Sequence, residues 1–238
     1  MTRNRSVSET HSTAEQILDV ARQLFGDDGY DATSVAEIAR RVGVVEGAIY
    51  RHFPSKRDLL HQVIRSFYEP LIESAAAGVA AIDSPRERVR FLIRRQLEAM
   101  AHDPLLCRLI ISEARSFDDY YESEVAQLSR RYTALFVDAF RDGVRQGMFR
   151  DDVPPGLVRD LVYGSIEHLA WSALSGHRGI DLDLTTDQLF SVVCGGIERS
   201  GPGERAGSLD RDLQRLEVVA ARLDQLSASL VPPSGVSP

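Results

Sequence analysis

The chain has 238 residues, 43% of them hydrophobic and 26% charged, with a net charge of −7. That is the profile of a soluble globular protein of one large domain or two small ones, and it excludes a partner held by bulk positive charge. No apolar run approaches the 18–20 residues of a membrane span, and the opening MTRNRSVSETHS has no apolar core of a secretory signal, so no membrane partner is expected and a cytoplasmic location is the default.

Apolar residues recur at spacings of three and four throughout, and strand-like alternation is missing, so the fold class is all-α. The first helix spans about 13–26, with Ile17, Leu18, Ala21, Leu24 and Phe25 on one face. Ser12 with Glu15 forms a capping box, and Gly29 supplies the stop. A second helix opens at Ser34, where Glu37 repeats the box, and ends at Arg41–Val42. Gly43 suits the left-handed turn that follows. A short third helix covers Val45 to about His52, and Pro54 ends it. Ser55 and Asp58 cap the fourth. Helices two and three, joined by a tight Gly turn, outline a helix-turn-helix at about 34–53.

Longer helices follow at about 55–82, 85–101, 104–116, 118–147, 154–176 and 185–199, separated by Pro- and Gly-containing breaks. The expected organisation is a three-helix domain at 10–70, a longer helical domain at 71–200, a linker at 201–208, an amphipathic helix at 209–230 and a disordered tail at 231–238. Leu209, Leu216, Leu223 and Leu230 repeat every seventh position. A heptad this short suits either an intermolecular coiled coil or docking on its own body. Cys107 and Cys194 stand 87 positions apart in apolar stretches, as buried thiols or, less simply, a redox sensor. No metal-spaced Cys/His cluster, nucleophile elbow or phosphate loop is present, so neither an enzyme, a metal site nor a cofactor is expected.

The stretch TSVAEIARRVGVVEGAIYRHFPSKRDLL, Thr33 to Leu60, resembles the DNA-binding segment of the TetR family of transcriptional regulators, and Phe25 with Gly29–Tyr30 extends the resemblance over about residues 10–70. It implies a three-helix DNA-binding domain followed by a helical ligand-binding and dimerisation domain. It also implies a homodimer that binds double-stranded operator DNA and a hydrophobic small-molecule effector that releases it. Val45 departs from the pattern, standing where the family has a capping Ser or Thr, a loss of about 1 kcal/mol.

By that resemblance Thr33, Ser34, Tyr50, His52 and Lys56 touch the phosphate backbone, and Val44, Val45, Glu46, Gly47, Ala48 and Arg51 complete the DNA-facing set. Val45 and Ala48 suit thymine methyl groups, Arg51 a guanine or a phosphate, and Glu46 either a cytosine amine or solvent. The first 64 residues carry eight basic and nine acidic residues, so charge placement must do what charge total does not. Arg3 and Arg5 could reach a minor groove from a flexible arm, or belong to a free tail.

The resemblance also implies a pocket among the middle helices, for which the candidates are Phe67, Phe91, Arg95, Met100, Ile110, Glu113, Phe117, Tyr121, Tyr163, Glu167, His168 and Trp171. Apolar members of this set double as core. The embedded charges are more informative, because a buried charge requires a partner. Gly164, Ser165, Gly195 and Gly196 lie among apolar residues of the last two long helices, where small residues let helices approach across a two-fold axis or within one chain. EARS at 113–116 and GSIEHLAW at 164–171 loosely resemble family members that respond to fatty acyl-CoA. Two other readings stay open: a DNA-binding regulator without a small-molecule effector, and a helical scaffold or ligand-binding protein whose helix-turn-helix is not functional.

Overall fold

A computed structural model describes residues 12–112, 114–174 and 180–198. Every regular element among them is helical: α1 (Thr13–Asp27), α2 (Val35–Val42), α3 (Glu46–His52), α4 (Lys56–Ala80), α5 (Pro85–His102), α6 (Pro104–Ser112), α7 (Glu124–Arg145), α8 (Pro155–Leu174) and α9 (Leu182–Ile197), with single 3₁₀ turns at Ala114–Ser116 and Tyr120–Glu122. None of these helices is long and apolar enough to cross a membrane. The linker, the heptad helix, the tail and the Arg3/Arg5 arm lie outside the described residues.

The first three helices form where their caps place them. Ser12 accepts from the Glu15 amide while the Glu15 carboxylate receives the Ser12 amide at 2.6 Å, a complete capping box. At α2 the box is only half made, contrary to expectation. Ser34 accepts from the Glu37 amide at 3.1 Å, but the Glu37 carboxylate turns away to Arg40 at 2.6 and 2.8 Å and to Arg41. Two guanidiniums within one helical turn outcompete a single backbone amide for that carboxylate. Gly43 takes φ 82° and donates to the Ala39 carbonyl, closing α2 in the left-handed conformation that glycine adopts without strain. Val45 precedes α3 with no side-chain cap.

Ile17, Ala21, Leu24, Phe25, Ile38, Ile49, Phe53, Leu59 and Leu60 bury one apolar core among α1–α4, while Val42 is only half-buried against it. α4 is continuous through residue 70, so the expected division at 70/71 falls inside a helix. In the body α5 is central, packing against α4, α7, α8 and α9 through Val89, Leu92, Ile93 and Leu97, all fully buried. Its arginines bind outward: Arg88 to Asp142 at 2.8 Å, Arg90 to Asp187 at 2.5 Å, and Arg94 to Asp183.

The outline differs most over 104–123. The helix expected over 104–116 stops at Ser112, and the one expected from 118 begins at Glu124. Ser123 explains the late start: its hydroxyl accepts from the Ala126 amide and donates to the Tyr120 carbonyl, which caps α7 there. At α9 the carboxylate of Asp181 caps the Leu184 amide, starting that helix at Leu182 and not at 185.

Candidate nucleic-acid interface and body cavity

α3 presents an exposed face of Val45, Glu46, Gly47, Tyr50, Arg51 and His52; Val45 is 74% exposed and Tyr50 46%. Ser34 is also exposed, at the N-terminus of α2, and Val44 is half-buried against the core. Lys56 is half-buried with its ammonium 4.2 Å over the Tyr30 ring and 3.4 Å from the Asp31 carbonyl, which holds it at the start of α4. Two predicted contacts do not face outward. Ala48 is 7% exposed, on the inner side of α3 beside Ile49, so its methyl belongs to the core and not to a thymine contact. Thr33 is 3% exposed, and its hydroxyl lies 2.8 Å from the Gly29 carbonyl and 3.1 Å from that of Leu24, fastening the exit of α1 where a phosphate was expected.

The charge placement clarifies the acidic balance. Glu37 spends its charge on Arg40 and Arg41, whereas Arg51 and His52 make no ion pair among the described residues. Among the described residues Arg51 and Lys56 are thus cations left without an ion pair on this surface, with the exposed Glu46 as their acidic neighbour.

The body holds a cleft of about 480 Å³ between α4, α5, α7 and α8, closed at one end by the 114–122 segment. Tyr68, Gln96, Tyr132 and Tyr163 form its inner wall, with Arg115, Tyr120, Tyr121, Arg130 and Arg159 around the rest. Arg115 makes a bidentate pair with Glu167, at 2.7 and 2.8 Å, and this carboxylate holds the guanidinium well above its ordinary pKa. Arg159 pairs with Asp160, while Arg130 donates to the Tyr121 carbonyl at 3.1 Å and meets no carboxylate among the described residues, leaving net positive charge at the rim. Burial pushes Tyr68 up to about 12. A constriction of about 30 Å³, lined by Phe67, Met100, Cys107 and Ile110, adjoins the cleft at Tyr68, Gln96, Arg115 and Glu167. Beyond it, an apolar groove of about 650 Å³ shares Phe67 and Leu71 and is flanked by Arg95, Ser74 and Glu98. Both cysteines are buried, and burial raises Cys107 to about 12, which makes it an inert thiol.

Of the pocket candidates read from sequence, Tyr163, Glu167 and Tyr121 line the cleft, Met100 and Ile110 the constriction, Phe67 the constriction and groove, and Arg95 the groove. Four stand elsewhere. Phe91 fills the notch over Gly78, where a Cβ would lie 2.2 Å from its ring. Phe117 packs edge-on to Tyr30, centroids 5.7 Å apart, and under Arg57. His168 is exposed, and Trp171 is 49% exposed on the outer side of α8. Their helical phase turns them away from the cleft. Glu113 lies outside the described residues. Tyr68, Gln96, Tyr132, Arg130 and Arg159 were missed. Tyr132 and Phe136, four apart on one helix, carried a signal that reads equally well as core.

Exposed apolar residues stand on both α8, at Leu157, Leu161 and Trp171, and α9, at Leu184 and Val192. Gly164, which also lines the cleft, and Ser165, Gly195 and Gly196 are exposed, and a Cβ at any of these three glycines would meet nothing within 4 Å.

The DNA-facing end and the cleft are joined through the segment 114–123. Arg57, at the start of α4, pairs with Asp119 and stacks on Phe117 at 4.5 Å. Its guanidinium holds the Asp119 carboxyl below the usual range. Nearby, Arg108 donates to the Gly26 carbonyl at 2.6 Å, Arg22 pairs with Asp103, and Leu105 packs on Gly26.

Comparison with known proteins matches this architecture at both ends. Residues 17–63 match the model of the bacterial regulatory proteins of the tetR family, and residues 82–178 a tetracyclin repressor-like C-terminal domain. The HTH-type transcriptional repressor Rv1474c of Mycobacterium tuberculosis is 33% identical over 162 residues, 66% of this chain and 82% of that protein. The HTH-type transcriptional repressor KstR2 of Mycolicibacterium smegmatis is 27% identical over 197 residues, 81% of this chain and 94% of that protein. The crystal structure of the transcriptional regulator FadR from Bacillus subtilis in complex with stearoyl-CoA superposes with a TM-score of 0.70 at 21% identity, covering 76% of this chain and 98% of that one, a likeness of fold. With its helix-turn-helix end, its all-helical body and these relatives, the chain belongs to the TetR family of DNA-binding transcriptional regulators.

Proposed function

We propose that this chain is a homodimeric repressor released from its operator when a long-chain acyl thioester enters the body cleft. The observation that carries the reading is the 114–123 segment, whose two sides serve different partners. Arg115, Tyr120 and Tyr121 contribute to the wall of the cleft, while Phe117 and Asp119 hold Tyr30 and Arg57 at the DNA-facing end. A ligand that shifts this segment therefore shifts the start of α4, and with it the angle of α3. α4 makes a second link, running from Lys56 to Tyr68 in the cleft wall, about 18 Å at helical rise.

The chemistry of the cleft suits an amphipathic anion. Unneutralised cationic charge at Arg130 faces the rim, and apolar space continues past Phe67 toward the groove. The stearoyl-CoA complex of the FadR structure supports the same effector class. Phosphates would be held by Ser34, Tyr50, His52 and Lys56, with Val45, Glu46, Gly47 and Arg51 toward the bases. The exposed apolar stripe of α8 and α9, with its four small residues, serves as the dimer interface. Two recognition helices would then meet half-sites about 34 Å apart. Full release requires roughly a 10⁴-fold preference of effector for the unbound state.

The test is selection of genomic fragments bound by the purified protein, followed by gel shift of the selected operator with palmitoyl-CoA, free CoA and palmitate. Release by palmitoyl-CoA alone is the expected outcome. In Asp119→Ala the operator should still bind within a few-fold, but palmitoyl-CoA should release it less completely. No selected operator sinks the regulatory reading, and an operator indifferent to palmitoyl-CoA sinks the effector.

A further inference from the structure

Two phenols in the inner wall of the cleft have no hydrogen-bond partner among the described residues. Tyr132 of α7 is 2% exposed and Tyr163 of α8 is 8% exposed; both hydroxyl oxygens are sealed from solvent and neither makes a hydrogen bond among the described residues. The two rings meet edge to face with centroids 5.9 Å apart, and Tyr163 meets Phe136 in the same way at 6.0 Å. Phenylalanine would satisfy these contacts equally well, so packing does not explain the hydroxyls. A buried, unpaired hydroxyl is costly, and the cost is recovered only when a partner arrives.

The surroundings limit what that partner is. Both tyrosines lie in the wall of the cleft, which Gln96 and the Arg115–Glu167 pair also line. Burial pushes both phenols above the usual tyrosine range, so they remain neutral O–H donors at any physiological pH. The arginines whose charge reaches this depth are each paired, Arg115 with Glu167, Arg95 with Glu98 and Arg159 with Asp160, so the group that fits is neutral and accepting. A carbonyl oxygen has two lone pairs and no proton, so it can accept from both phenols at once.

We propose that Tyr132 and Tyr163 are specificity-determining residues that read an acyl carbonyl, so that the effector is recognised at its thioester and not only by its hydrocarbon chain. This rests on the cleft being the effector site, as proposed above. Since both oxygens are sealed, the carbonyl reaches them only by displacing a ring edge. Recognition thereby moves the α7–α8 wall, from which Arg115 is held through Glu167.

The experiment compares palmitoyl-CoA with S-hexadecyl-CoA, the thioether of equal length that lacks the carbonyl, by calorimetric titration of the full chain and of Tyr132→Phe/Tyr163→Phe. The wild type should bind the thioester roughly tenfold to thirtyfold more tightly, as two hydrogen bonds allow, and the double variant should lose that preference by weakening the thioester alone. The melting temperature of the variant without ligand should hold or rise, since two unsatisfied hydroxyls are gone. Equal binding of both probes by the wild type overturns the carbonyl assignment and leaves the effector reading standing. So does a preference that survives in the variant, or a variant whose melting temperature falls by several degrees. Binding of neither probe overturns the effector reading, and this inference with it.

Discussion

The DNA-facing end and the body solve the same packing problem with different tolerances. α1–α3 are 15, 8 and 7 residues long, each fixed by a cap or a glycine turn. The body uses helices of up to 22 residues beyond α4 and leaves a cleft walled by tyrosines and arginines. In the first region polar side chains are spent on local geometry: Ser12, Ser34 and Thr33 all bond backbone within nine residues. In the second they reach across tens of residues, as Arg115 does to Glu167 and Arg88 to Asp142. The capping bonds of the helix-turn-helix are local, and its long-range bonds, Arg22 to Asp103 and Arg57 to Asp119, tie it to the body.

That contrast can be broken most directly at the DNA-facing surface. Replacing Tyr50 and Lys56 together by Ala should weaken operator binding roughly 100-fold at fixed salt, with the slope of affinity against salt reduced by about one. Gel shifts over a salt series measure both, and an unchanged slope would remove Lys56 from the phosphate grip.

The second test probes whether the body is tightly packed away from its cleft. A Cβ on Gly143 would lie 2.1 Å from the Phe149 ring, which is 1% exposed and stacked on Phe140 at 5.4 Å. Gly143→Ala should therefore destabilise the fold by about 1–3 kcal/mol, seen in urea melts. A loss below 0.5 kcal/mol would show that the end of α7 yields as the cleft does.

Restoring the missing cap sharpens the other side. Val45→Ser should stabilise the protein by about 0.5–1 kcal/mol through a side-chain bond at the start of α3. A value of zero would mean that the neighbouring Gly43 turn already holds the amides of that helix.

The smallest effect lies where the regions meet. Burial first, and the Arg57 charge second, lower the pKa of His61, with Asp58 and Asp119 opposing. A histidine with a depressed folded pKa contributes stability that is present above its unfolded value of about 6.5 and is lost as pH falls below it. Stability should thus decline modestly from pH 7 to pH 5, and His61→Gln should flatten that part of the profile in thermal melts.

Legibility followed the same division. The helix-turn-helix was readable because its determinants are local in sequence: Ser12 with Glu15, the Gly43 turn, the apolar spacing of Ile38 and Ile49. Where a local rule failed, a competing local partner explains it, as when Arg40 and Arg41 take the Glu37 carboxylate from the capping box. The pocket was only partly readable. Tyr163, Glu167 and Phe67 were found, but Trp171 and His168 turn outward and Tyr132 and Arg130 were absent from the set. An apolar residue in a helix looks the same in sequence whether it faces a core, a cleft or another subunit.

What the sequence determined by itself is therefore the all-helical class, the recognition end and its caps, since a hydrogen bond across three residues requires nothing from the rest of the chain. Which side of α8 faces the cleft, that Arg57 meets Asp119 sixty-two positions away, and that two tyrosine hydroxyls are buried without partners were decided by the tertiary structure alone. Those features arise only when several helices converge, and their relative rotation is set by the packing of the whole body.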